Sequence, residues 1–337
     1  MRVAVDAMGG DHGPEVLVEG AVAAAREKGI AITLVGREDV LAGYVEHYDG
    51  GGLPIDIYPA SQVVDMEESP AESLRHKKDS TIRVAFELVN KGIAHAVVSA
   101  GNSGATLATA IVALDRINSV RPAIATIMPT LKDPVVMIDV GANVDCRPHH
   151  LLQFGIMGSI FAKRIIDNPR PRVGLLSIGE EYSKGNLQVK RAYDLLAASE
   201  LNFLGNVEGR DIFKGDVDVI VCDGFVGNIC LKLSEGLAES VLTMLKTEIK
   251  RSLMAKIGYR LAWSAFHRFK KKVDYSEYGG APLLGVNGVA IICHGRSGPR
   301  AVKNAVSVAH ELARADLAGQ IAEALKQDAV RLSSAAT

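Results

Sequence analysis

Short apolar runs rich in Val, Ile and Ala alternate along almost the whole chain with stretches of helical, 3.6-residue periodicity. That alternation constrains the fold more than any other feature. The runs expected to be strands are 2–8, 31–36, 54–58, 94–99, 123–128, 134–140, 172–178, 201–206, 217–222 and 289–294. Helical patterns occupy 14–28, 80–91, 104–114, 150–166, 186–199, 227–252 and 299–315. Strands that are apolar along their whole length, rather than on one side, are buried on both faces. The pattern therefore predicts an α/β protein with a mostly parallel sheet covered by helices on both faces. With 337 residues, 48% of them hydrophobic, the chain can bury a large core. No fixed-period repeat or low-complexity linker divides it, so a single α/β/α catalytic domain over 1–337 is expected. The last residues, 333–337, read as a frayed tail.

The totals exclude several classes. A net charge of −1 gives no electrostatic basis for nucleic acid as a partner. Cys146, Cys222, Cys230 and Cys293 are far apart with no C-x-x-C pair, which suits reduced thiols in a cytoplasmic protein. Neither a signal peptide nor a bilayer-spanning run is evident.

In a parallel α/β sheet, ligands bind beyond the carboxyl ends of the strands. The unusual residues of this chain gather there, in Asp6-Ala-Met-Gly-Gly-Asp-His-Gly13, Ser99-Ala-Gly-Asn-Ser-Gly-Ala105 and Asp139-Val-Gly-Ala-Asn-Val-Asp145. Three further loops are Ser177-Ile-Gly-Glu-Glu-Tyr-Ser-Lys-Gly-Asn186, Asp223-Gly-Phe-Val-Gly-Asn228 and His294-Gly-Arg-Ser-Gly298. Glycine permits close approach of the backbone, and the helix that follows offers free N–H groups and a dipole favouring an anion. Six such loops suggest a phosphate cradle. The dinucleotide fingerprint, the P-loop and the nucleophile elbow are all absent, which disfavours nucleotide cofactors and a serine nucleophile. His and Cys show no metal-ligand spacing, so neither metal nor cofactor is expected. Asp6, Gly9, Gly10, Asp11, His12, Asn102, Ser103, Gly104, Asn143, Asp145, Glu180, Asn186, Asp223, Gly224 and Gly227 make up the expected substrate-binding set. For Asp6, Asp11, Asp145 and Asp223, and for Ser103, helix capping is the competing role. His149 and His150 open a helix, where solvation or capping is expected.

The run Val-Asp-Ala-Met-Gly-Gly-Asp-His-Gly-Pro14 is highly distinctive. With Ser-Ala-Gly-Asn-Ser-Gly-Ala105, Gly179-Glu-Glu-Tyr-Ser-Lys-Gly-Asn186 and Cys222-Asp-Gly-Phe-Val-Gly-Asn228, it strongly resembles the bacterial phosphate acyltransferases of phospholipid synthesis. The resemblance runs from residue 1 to about 320. It implies a Rossmann-like sheet of the isopropylmalate dehydrogenase and phosphotransacetylase kind, a homodimer and peripheral membrane association. The implied reaction moves a long-chain fatty acyl group from acyl carrier protein to inorganic phosphate, and the implied catalytic residues are Lys184 and Asn228. The residues fit that chemistry. A thioester is already activated and phosphate is already a charged nucleophile, so the protein has only to hold them together and stabilise an oxyanion. Lys184 lies in a glycine-flanked loop and Asn228 at a helix start, suited to supply charge and an amide N–H. A solvated lysine and a capping asparagine are the competing readings.

Three rivals stand beside this reading. A short-chain phosphotransacetylase acting on acyl-CoA shares the fold. An isopropylmalate-type dehydrogenase needs a metal-binding Asp cluster that is not evident. A non-enzymatic, phospholigand-binding membrane adaptor would keep the glycine loops without needing Lys184.

One stretch breaks the alternation. Residues 250–272 carry eight Lys or Arg and no acid, and removing those eight from 38 leaves 30 bases against 39 acids elsewhere. On one helical wheel Leu253, Met254, Ile257, Leu261, Ala265 and Phe269 share an arc, and Lys256, Arg260, Trp263, His267 and Lys270 share another. A basic amphipathic excursion over 245–280 is expected. Leu253, Ile257, Arg260, Leu261, Trp263, Phe266, Phe269, Lys270 and Lys271 are its candidate contacts with an anionic membrane or acidic carrier protein. Packing in a core or dimer interface is the alternative.

Overall fold

A computed structural model describes residues 1–166, 168–273 and 278–335. Its strands are β1 (Arg2–Asp6), β2 (Ala31–Gly36), β3 (Ile55–Pro59), β4 (Ala96–Ser99), β5 (Ala123–Met128), β6 (Val135–Ile138), β7 (Arg172–Leu176), β8 (Asn202–Val207), β9 (Val219–Val221), β10 (Ala281–Leu284) and β11 (Val289–Ile292). They form an 11-stranded sheet in the order β3-β2-β1-β4-β11-β10-β5-β6-β9-β7-β8. Every expected strand is present, with ends one or two residues from the expected limits. The residues trimmed at the carboxyl ends, such as Ala7 and Met8, have left the ladder to enter the loops.

Two parallel blocks flank an antiparallel centre. β3, β2, β1, β4 and β11 pair in parallel, as do β6, β9, β7 and β8. Between the blocks, β10 is antiparallel to β11 and to β5, and β5 is antiparallel to β6. β10 was not expected from the sequence, because Pro282 lacks a ladder N–H and argues against a central strand. The structure accommodates it by pairing β5 only with Leu283 and Leu284.

The helices are α1 (Pro14–Lys28), α2 (Glu38–His47), α3 (Pro70–His76), α4 (Thr81–Asn90), α5 (Ser103–Leu114), α6 (Pro148–Ile165), α7 (Leu187–Ala197), α8 (Gly224–Arg251), α9 (Leu253–Leu261), α10 (Trp263–Val273), α11 (Pro299–Arg314) and α12 (Leu317–Ala335). α2, α3 and α12 add to those read from periodicity. The expected tail from Ser333 is helical to Ala335, and residues 336 and 337 lie outside the described residues. Apolar clusters fill both faces of the sheet. One holds Val3, Val5, Ile138, Phe154 and Phe161, and two others gather around Phe86 and around Met137.

The basic excursion departs from the expected single wheel. α8 ends at Arg251, Ser252 accepts the Ala255 N–H to cap α9, and the chain breaks again at Ala262 before α10. The apolar arc drawn across 253–269 is therefore divided between two helices. It fills no core of this chain, since Leu261 is 84% exposed, Trp263 55% and Phe269 49%. Trp263 stacks on His267, and Tyr259 meets Phe266. Residues 274–277 of the expected 245–280 span lie outside the described residues. Among the described residues, no helix is long and apolar enough to cross a membrane.

α1 and α11 meet closely, because a Cβ on Gly20 would lie 2.6 Å from both Pro299 O and Val302 Cβ. Gly43, within α2, faces open space. Gly20→Ala is expected to destabilise by about 1–3 kcal/mol through overpacking, whereas Gly43→Ala stabilises by up to about 1 kcal/mol. Denaturant melts of the two variants check this, and equal effects would show that the α1–α11 contact yields.

Candidate active site

Hydrogen bonds sort the glycine loops into two groups, one on each parallel block. In the first, β1, β4 and β11 lie side by side and their following loops interlock. Asp6, at the end of β1, is completely buried and accepts from Ser99 Oγ at 2.7 Å, and Ser99 Oγ accepts the Gly101 N–H at 3.1 Å. Asp11 N–H donates to Gly295 O at 2.8 Å, joining the loop after β1 to the loop after β11. Gly9 is required by close approach, since a Cβ there would lie 2.8 Å from Asp6 Oδ2 and 2.9 Å from the Gly101 backbone. Gly10, at φ +85°, sits against the carbonyls of Ala100 and Gly295. Burial pushes the Asp6 carboxyl above its ordinary range, against the bond from the Ser99 hydroxyl that pulls it down, and its Oδ1 is buried without a partner.

Asn102 caps α5, with its Oδ1 accepting the Ala105 N–H at 2.9 Å. Its Nδ2 donates to the carbonyls of Met66 and Glu68 at 3.0 and 2.9 Å, and more weakly to that of Asp65 at 3.3 Å. One amide thus ties an irregular segment, not singled out in the sequence, to the mouth of the first group. Asp11, His12 and Ser103 are exposed at the same mouth, and Gly104 packs against Pro70.

The second group follows β6, β9 and β7, which are again neighbours. Its centre is Asp139, which the sequence placed in a loop without assigning it a role. The buried carboxylate accepts N–H bonds from Ile124 at 3.0 Å, Gly141 at 3.2 Å, Ala142 at 3.0 Å and Asn143 at 2.7 Å. A fifth comes from Asn143 Nδ2 at 2.9 Å. Burial raises its pKa, while those donors act to lower it. Asn143 also donates to Pro122 O, and its own carbonyl accepts from Gly224 N–H at 2.7 Å. Asp223 caps α8 by accepting the Val226 N–H at 2.9 Å. Gly227 lies so close to the Asp139 carbonyl that no side chain fits. One residue on, Asn228 is exposed, with its side chain lying over Gly141.

Lys184 is on the loop after β7, its stem over Gly179 and its N–H donating to Glu181 O at 3.0 Å. Asn206 of β8 supports that loop by donating to Glu181 O at 3.0 Å, and Asn186 caps α7 by accepting the Val189 N–H at 2.9 Å. Glu180 faces Arg210 at 3.8 Å and Asp145 is exposed. All four cysteines are free thiols, and burial pushes the Cys146 and Cys293 thiols up to about 12. Among the described residues, no group of three His, Cys, Asp or Glu side chains is placed to hold a metal.

The pairing directions run the two blocks antiparallel, which in a flat sheet would send the two loop groups to opposite edges. Six strand steps separate β1 from β9. At roughly 20–25° of twist per step, the strands turn by about 120–150° between them, and that rotation nearly undoes the reversal.

Residues 1–320 match the family model described as "Fatty acid synthesis protein". The chain is 56% identical over 328 residues to the phosphate acyltransferase of Citrifermentans bemidjiense, covering 97% of this chain and 93% of that protein. It is 58% identical over 310 residues to the phosphate acyltransferase of Syntrophotalea carbinolica, covering 92% and 89%. The chain belongs to the phosphate acyltransferase family. It is an enzyme and a transferase, as the distinctive loop motifs implied. Its fold is also that of a phosphotransacetylase from Streptococcus pyogenes, at a TM-score of 0.62 and 16% identity over 93% of this chain and 94% of that one. A branched-chain phosphotransacylase from Enterococcus faecalis V583 aligns at a TM-score of 0.57 and 12% identity, over 93% and 99%. The Rossmann-like, phosphotransacetylase-like architecture expected of the family is thus present.

His150 sits behind this site, in the first turn of α6, where its Nδ1 accepts the Arg147 N–H at 3.1 Å. Burial, reinforced by His149, Arg121 and Arg147, pushes its pKa down to about 4. An unfolded histidine takes up a proton near pH 6.5, so acid favours the unfolded chain. The contribution of His150 is complete above pH 6.5 and is lost as pH falls toward 4. His150→Gln keeps the cap without the titration. The loss of melting temperature between pH 6.5 and 4 should therefore be smaller in the variant, and parallel curves would contradict the assignment.

Proposed function

We propose that this chain transfers a long-chain fatty acyl group from acyl carrier protein to inorganic phosphate, releasing acyl phosphate and free carrier, as one catalytic unit over 1–337. The observation that carries the proposal is near-full-length identity of 56% to a protein named phosphate acyltransferase. The neighbouring placement of β9 and β7 supports it, because the helix start bearing Asn228 and the loop bearing Lys184 follow adjacent strands.

In this reaction a phosphate oxygen attacks the thioester carbonyl carbon. The carbonyl π electrons move to oxygen, and the tetrahedral oxyanion collapses to expel the carrier thiolate, which takes up a proton. The C–S bond is exchanged for a C–O–P bond, with no change of oxidation state. Asn228 Nδ2 donates to the oxyanion, and the Lys184 ammonium neutralises phosphate or oxyanion charge. On the first block Gly10, Asp11, His12, Ser103 and Gly104 form one side of the substrate cleft, with the buried Asp6, Gly9 and Asn102 supporting them. Asn143, Asp145, Glu180, Asn186, Asp223, Gly224 and Gly227 line the other side. The cleft holds the two substrates at reacting distance. No step calls for metal or nucleotide.

α9 and α10 extend the reading to partners. Eight Lys or Arg in 250–272 with no acid, beside exposed Leu253, Ile257, Leu261, Trp263 and Phe269, suit reversible contact with an anionic membrane or an acidic carrier protein. Arg260, Phe266, Lys270 and Lys271 belong to the same surface. The exposed apolar side chains of α8, Leu233, Leu237 and Val241 among them, suit a homodimer contact.

Purified protein supplied with long-chain acyl carrier protein and phosphate should form acyl phosphate and free carrier thiol in the presence of EDTA and without NAD or ATP. Lys184→Ala and Asn228→Ala should fold normally and lose about 10²- to 10³-fold in kcat; near-normal kcat in both would remove them from the transition state.

Anionic vesicles should retain the protein less well as salt rises, because exposed charge is screened within about 8 Å at physiological ionic strength. Leu261→Glu with Phe269→Glu should abolish retention while activity on the soluble donor persists. Retention unchanged in that variant would exclude the membrane contact.

A further inference from the structure

The Asp139 carboxylate is buried and is not itself a reacting group, yet it organises more of the second loop group than any residue assigned to catalysis. Three successive main-chain N–H groups, of Gly141, Ala142 and Asn143, converge on it, and Asn143 Nδ2 adds a fourth donor from the same turn. Together they wrap the turn after β6 around a single charge. Ile124 N–H, from β5, anchors that charge from the other side.

α8 is seated on the same residue. Gly224 packs against Asp139 Oδ2 and donates to Asn143 O, while Gly227 packs against the Asp139 main-chain oxygen. The Cys222 thiol, at the end of β9, also donates to that oxygen at 3.3 Å. Asn228 therefore emerges from a helical turn whose position is set by Asp139. Its Oδ1, Cβ and Cγ lie 3.7–3.8 Å from where a Cβ on Gly141 would stand, so the turn that Asp139 wraps is also the surface against which the Asn228 side chain rests.

We propose that Asp139 is a positioning residue for Asn228, acting through the Gly141–Asn143 turn and the Gly224–Gly227 contact to hold the Asn228 amide at the developing oxyanion. The proposal rests on the reading that Asn228 acts in the transition state. A donor misplaced by about 1 Å can cost about 10²-fold in rate without affecting ground-state binding. Asp139→Asn is nearly isosteric but sets an NH2 group against a turn made of donors, so the turn must move.

The test is a double-mutant cycle on the intact protein, with kcat and the phosphate KM measured for wild type, Asp139→Asn, Asn228→Ala and the pair. Asp139→Asn is expected to lower kcat by about 10²-fold, with the phosphate KM little changed. In the Asn228→Ala background it should cause almost no further loss, because the group it positions is gone. Losses that multiply in the pair would overturn the proposal and leave Asp139 a structural role, as would an unchanged kcat in Asp139→Asn. If Asp139→Asn fails to fold, Gly141→Ala replaces it. That substitution brings a methyl group against Asn228 at a position with φ +141°, and the same non-additive pattern is expected. Normal kcat in Asn228→Ala alone would instead sink the catalytic reading of Asn228, a failure visible before any pair is compared.

Discussion

Three successive antiparallel pairings, β11 with β10, β10 with β5 and β5 with β6, reverse the strand direction between one end of the sheet and the other. In this chain that inversion falls between two parallel blocks. Each block alone follows the familiar rule that ligands sit beyond the carboxyl ends of parallel strands. Pairing direction and the ordinary twist of a sheet together decide how the two sets of loops relate.

Each block uses the same device to fix its loops. At the end of β1, and just after β6, stands an aspartate with 0% exposure, Asp6 in one case and Asp139 in the other. Asp139 collects five N–H donors, four of them from the main chain, whereas Asp6 accepts from the Ser99 hydroxyl and leaves Oδ1 without a partner. Burying a carboxylate is unfavourable unless it is fully hydrogen-bonded, and that cost makes such a group an effective organiser, because any loop conformation that withdraws donors becomes expensive. The glycines beside the aspartates follow from the packing. Gly9, Gly224 and Gly227 all touch the neighbouring aspartate, and a side chain would break the contact.

Much of this was legible in the sequence. Continuous apolar strands gave the parallel sheet, and the clustering of Gly, Asn, Asp and Ser at strand ends marked the loops. Asn102, Asn186 and Asp223, in loops marked by that clustering, each cap the helix that follows. What stayed hidden depended on long-range pairing. β10 was concealed by Pro282, strand order has no local signature, and the separation of the loops into two groups follows from that order. Asp139 was invisible for a different reason. A buried aspartate that collects main-chain N–H groups reads in sequence like any other loop acid, and only the fold shows how many donors reach it. The single helical wheel over 253–269 failed at Ala262, where a turn outweighed a periodicity that continues through it.

The 39 acids and 30 bases outside 250–272 give that part of the chain a negative balance, while the eight bases of the stretch lie on α9, α10 and the end of α8. A chain of almost zero net charge thereby holds one concentrated positive feature. The field of such a feature acts on a negatively charged surface or macromolecule beyond contact distance. Steering of this kind speeds encounter, and added salt weakens it even where the final contacts are unchanged.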